Sequence, residues 1–88
     1  MERQSLLRDP CFMGSSTLQQ TQRLLAAHIK TFRLEAGLSQ EALAHEAEID
    51  RTYVSQLERA LVNPSLAVLV RLAHVFDVPV TELLKLES

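Results

Sequence analysis

Arg51, Thr52, Ser55, Gln56 and Arg59 fall within one short run, RTYVSQLER, and their side chains suit the edges and phosphates of nucleic acid. Arginine pairs bidentately with guanine, glutamine pairs with adenine, and threonine offers both a methyl and a hydroxyl group. Val54 and Leu57, spaced i, i+3, share one face of a helix and leave the five polar residues on or near the other. The run holds one glutamate and no lysine, which is unusual for a merely solvated surface. The solvated face of a small bundle is the alternative reading of these residues alone.

Such a helix must be held from behind. The preceding stretch, GLSQEALAHEAEID, begins with Ser39 as an N-cap and runs from Gln40 to Ala47 in strong helix formers. Leu43, Ala44 and Ala47 form its apolar edge. Ile49 and Asp50 interrupt it, and Asp50 stands where it can cap the next helix, Arg51–Arg59. Two short helices with facing apolar edges and about three residues between them predict a helix-turn-helix.

The rest of the chain supplies the support. A long first helix is predicted from Thr17, with Gln20 at capping-box spacing, to Gly37, a left-handed stop. Leu25, Ile29, Phe32 and Ala36 form its core stripe. Asn63-Pro64-Ser65 stops and restarts the chain, and the helix Leu66–Phe76 follows, apolar nearly all round. Its face of Leu66, Leu69, Leu72 and Ala73 suffices for one core. Thr81 is predicted to cap a fifth helix, ELLKLE. Val68, Val75, Leu83, Leu84 and Leu86 then exceed what one core needs, and surplus apolar surface of this kind is best hidden in a twofold interface.

Composition sets the outer bounds. Eighty-eight residues, 47% apolar and 23% charged, make a single domain, and two glycines with three prolines favour an all-α answer. Residues 1–16 show no sustained period and are expected to be a flexible arm, whose Arg3 and Arg8 could follow DNA; residues 17–88 form the domain. No apolar run approaches the ~18 residues of a membrane span, and Met1–Pro10 has no apolar stretch of the kind a signal peptide carries. A single cysteine, Cys11, excludes an internal disulfide and fits a reducing cytoplasm. The net charge of −2 is awkward for a nucleic-acid binder. It predicts weak non-specific binding and affinity that depends on dimerisation and direct contacts, with Glu41, Glu46 and Glu48 turned away from phosphate.

GLSQEALA, IDRTYVSQLER, NPSL and LVRLAHVFDVPVTELL, in that order and spacing across residues 24–86, resemble the Cro/C1-type (XRE) helix-turn-helix family. DRTYVS is also similar to the controller proteins of restriction–modification systems. The resemblance implies a five-helix, lambda-repressor-like DNA-binding domain that dimerises through its C-terminal end. Carried onto matching positions, it implies a phosphate contact for Gln40 and base-edge contacts for Arg51, Thr52, Ser55 and Gln56. Tyr53 and Arg59 would hold the backbone or flanking bases. It also implies a largely buried ion pair between Arg33 and Glu58, which suits two charged residues with no better role where they stand. Two positions depart from the family pattern: Glu48 and Ala60 stand where glycine is usual.

Catalytic and metal readings fare poorly. His28, His45 and His74 lie far apart, and His45-Glu46 starts a zinc-protease-like string whose second histidine is missing, because position 49 is Ile49. No cofactor, metal or small-molecule effector is expected. The expected function is a non-enzymatic, cytoplasmic, homodimeric regulator of transcription on double-stranded DNA. The alternative from another class is a protein-interaction module such as an antitoxin, gripping a partner through the C-terminal end or the arm.

Overall fold

The computed structural model describes residues 15–85, and within them the chain is four α-helices and a closing 3₁₀ turn, with no strand. The helices are α1 (Ser15–Glu35), α2 (Gln40–Ala47), α3 (Arg51–Glu58) and α4 (Leu66–Phe76), and the turn spans Val80–Leu84. Of the expected arm, Arg3, Arg8 and Cys11 lie outside the described residues, as does Leu86 at the other end.

The helix ends show how local sequence sets the boundaries. Ser39 Oγ accepts from the Ala42 amide at 3.0 Å and Ser65 Oγ from that of Val68 at 3.3 Å, so α2 and α4 start at the predicted caps. Asp50 occupies the N-cap of α3 but makes no side-chain capping bond. The capping box at Thr17 does not form: α1 already runs through Ser15, which places Thr17 inside the helix, where its carbonyl accepts from Thr21 Oγ1 at 2.9 Å.

All four helices stop in the same way. A left-handed residue sends its N–H back three positions, and the next residue sends its own back five, as in Leu38→Arg33, Ile49→Ala44, Leu61→Gln56 and Val78→Ala73. The left-handed residues are Gly37 (φ 72°), Glu48, Ala60 and Asp77 (each φ 60°). A Cβ on Gly37 would meet nothing within 4 Å, so backbone conformation alone selects glycine there. Glu48 and Ala60 carry the strain that their departure from glycine implies, and Asp77 is a third such site. Each Cβ in this region costs on the order of 1–2 kcal/mol, part of which glycine returns as unfolded-chain entropy. Glu48→Gly and Ala60→Gly are therefore each expected to stabilise the domain by about 1 kcal/mol in urea unfolding, with Asp77→Gly giving less because aspartate tolerates this conformation.

The core explains why such short helices persist. At eight residues each, α2 and α3 are well below the ~12–15 residues at which an isolated helix becomes even marginal in water. Packing supplies what propensity does not. Ile29, Leu43, Val54, Leu72 and Leu83 are completely buried, and each such side chain contributes on the order of 1.5–3 kcal/mol. Leu25, Ala44, Ala47, Leu57, Leu69 and Ala73 complete the cluster. Phe32 lies at its edge and stacks on Phe76, with ring centroids 5.5 Å apart and planes 25° from parallel.

Several expected positions move. Ala36 is exposed, because α1 ends one residue earlier and Ala36 belongs to the turn. Leu66 opens α4 and is 72% exposed, outside the core face. Thr81 lies inside a 3₁₀ turn that Pro79 opens, with the Glu82 amide bonded to the Pro79 carbonyl at 2.9 Å, so no capped α-helix forms there. Leu83, expected at an intermolecular surface, is wholly buried in the core of its own protomer. Val68 and Val75 are half-buried against that core. His28 Nε2 donates to the Lys85 carbonyl at 2.7 Å and fastens the end of the described chain to α1.

Candidate nucleic-acid interface

With Val54 and Leu57 buried, the helical repeat puts Arg51, Thr52, Ser55, Gln56 and Arg59 on one arc of roughly 140° at 100° per residue. Arg51, Thr52 and Arg59 are exposed, and Ser55 and Gln56 half-exposed. Tyr53 stands beyond one edge of the arc, half-buried against the core, which suits a flanking contact better than a central one.

Glu58 stands beyond the other edge and turns inward. Its carboxylate takes Arg33 Nε at 2.6 Å and Nη2 at 3.1 Å, while Arg33 Nη1 donates to the Leu38 carbonyl at 2.9 Å. Only 11% of the Arg33 side chain and 4% of that of Glu58 reach solvent. Gln40 Nε2 donates to the same carboxylate at 3.1 Å, a contact the sequence did not suggest. One carboxylate thus ties α3 to both α1 and α2. The bidentate fork fixes orientation as well as distance, so the polar arc is presented by a braced helix. Gln40 remains half-exposed at the first turn of α2 while it makes that bond.

Of the acidic residues, Glu46 and Glu48 line a cleft with Val70, Arg71 and His74 of α4, to which no residue of α3 contributes. Gln22 of α1 hydrogen-bonds Asn63 in the segment after α3. Among the described residues, no three of His, Cys, Asp and Glu gather as metal ligands would, and no helix is long and apolar enough to cross a membrane.

A short helix buried on one edge and polar on the other, braced by a second short helix across a tight turn, defines a helix-turn-helix protein. The chain belongs to the helix-turn-helix family HTH_3, whose pattern matches residues 29–83. It is 38% identical to a hypothetical transcription factor of Neisseria meningitidis serogroup B over 66 residues, 75% of this chain and 62% of that protein. It therefore spans less than two thirds of that relative. The restriction–modification controller protein C.AhdI of Aeromonas hydrophila superposes with a TM-score of 0.69 at 35% identity, covering 70% of this chain and 94% of that one. The N-terminal DNA-binding domain of SinR from Bacillus subtilis superposes at 0.70 and 36%, covering 74% and 96%.

Proposed function

We propose that this chain is a sequence-specific DNA-binding regulator of transcription that acts as a homodimer on a pseudo-palindromic operator. The observation that carries the reading is the outward arc of α3: five hydrogen-bonding side chains, two of them arginines, no carboxylate, and a buried brace behind them. Arg51, Thr52, Ser55 and Gln56 address base edges in the major groove. Gln40 contacts a phosphate, and Tyr53 and Arg59 hold the backbone or flanking bases. Two protomers place their copies of α3 in successive major grooves, so the half-sites lie about 34–36 Å apart. The chemistry is recognition, with no catalytic step. The relatives named as a transcription factor, a controller and a DNA-binding domain support a regulatory role in the bacterial cytoplasm.

Selection from a random DNA pool at about 100 mM salt, where non-specific binding is already weakened, tests this reading. An enriched inverted repeat is the expected result. A folded, dimeric protein that enriches nothing would overturn direct readout.

The dimer draws on those exposed apolar side chains that stand on α4 and the closing turn. Leu66 (72% exposed) and Val70 (54%) are one turn apart on α4, and Leu84 (38%) stands on the closing turn, beyond the half-buried Val68 and Val75. Burying one such side chain is worth on the order of 1.5–3 kcal/mol. Val70→Asp is therefore expected to raise the dimer dissociation constant about tenfold or more, read by sedimentation, with an unchanged helical spectrum. An unaltered association constant would move the interface off α4.

A further inference from the structure

We propose that Arg23, with Arg59 facing it, forms a phosphate clamp that grips the DNA backbone beside the C-terminal end of α3. This deepens the DNA-binding reading and rests on it. A polar cleft opens between the N-terminal half of α1 and the end of α3, lined by Gln19, Gln22, Arg23, Arg59 and Ala60. Two arginines and two glutamines line it, and among the described residues no acidic residue does. Among the described residues neither arginine has an ion-pair partner, and Glu58, next in sequence to Arg59, is committed to Arg33.

In a chain of net charge −2, two like charges set across one cleft repel each other until an anion lies between them. Guanidinium is the group whose planar fork best fits phosphate oxygens. At the rim of the cleft the Gln22 amide donates to Asn63 and links α1 to the segment that follows α3. The cleft also continues the surface of the polar arc, since Arg59 belongs to both. A duplex whose bases met Arg51 and Gln56 would bring a backbone phosphate to this end of the arc. The same two arginines would attract a free phosphate ion as well, but only a duplex brings its phosphate together with base contacts on the arc.

The test uses the whole chain, its selected operator and a random duplex of equal length. Arg23→Gln is expected to weaken both by the same factor, about three- to tenfold at 100 mM salt, and to flatten log K against log salt by about 0.9 for each protomer. Arg23→Lys should restore much of the slope. Inorganic phosphate at millimolar concentration should leave operator binding by the wild-type chain no weaker than sulfate at equal ionic strength does. Unchanged affinity and slope in Arg23→Gln, with wild type still selecting its operator, would overturn the clamp and leave the DNA-binding reading standing. A loss confined to the operator would make Arg23 a base reader and equally overturn it. A wild-type protein that selects no DNA would remove the function and the clamp together. Arg23 is exposed, and an unchanged unfolding midpoint separates a lost contact from a lost fold.

Discussion

Glu58→Ala should destabilise the domain by about 3–5 kcal/mol in urea unfolding, the range for removing one partner of a buried ion pair. The geometry sets the size. Arg33 is only 11% exposed and would keep a single bond, to the Leu38 carbonyl, while its charge lost the carboxylate that offsets desolvation. Gln40 would lose its partner in the same step. Arg33→Ala strands the opposite charge and is expected to cost a similar amount. A loss below about 1 kcal/mol would mark the pair as a screened surface contact instead. Replacing both residues with methionine should recover much of the stability, because an apolar pair of similar volume often matches a buried ion pair. That double variant should still bind operator less well, since its α3 would have lost the fork that sets its orientation.

Arg51→Ala is the second large effect, and it falls on recognition with the fold untouched. Arg51 is exposed at the first turn of α3, and a bidentate contact to guanine is worth about 1–3 kcal/mol of discrimination. The expected result is that loss for each half-site, together with a flattened preference at one base pair of the selected operator. It is measured by comparing the operator with its single-base variants. Equal weakening on every sequence would reassign Arg51 to the phosphate backbone. The two variants thus separate the brace from the reading surface.

The residues that make the fold were legible because they obey a period. Leu43, Ala44, Ala47, Val54 and Leu57 all lie in the core where helical spacing put them, and Ser39 and Ser65 cap where their hydroxyls predict. Errors gathered where the sequence pattern does not say which neighbour is present. Leu66 and Leu83 are both leucines on apolar faces, yet one is open to water and the other completely enclosed. Leu66 is the first residue of α4, whereas Leu83 stands on the closing turn, which packs against α1 and α4. The left-handed backbone at Glu48 and Ala60 was visible through the resemblance, whereas Asp77 gave no comparable sign. Of the candidate interface, the outward arc could be read from spacing within one helix. The bond from Gln40 to Glu58 and the cleft between Arg23 and Arg59 join residues far apart in sequence. A single chain carries no periodic mark of such pairings.

The shortness of α2 and α3 has a consequence in thermodynamic linkage. Neither helix holds together without the shared core, so the surface offered to DNA exists only while the whole domain is folded. Any ligand that binds solely the folded form adds its occupancy to the folding equilibrium. At a free operator concentration one hundred times Kd, that addition is about 2.7 kcal/mol. For a domain that carries backbone strain at three helix ends, this would be a large share of its total stability. The molecules seated on DNA would then be the longest-lived in the cell, and the unbound ones the first to unfold and be cleared.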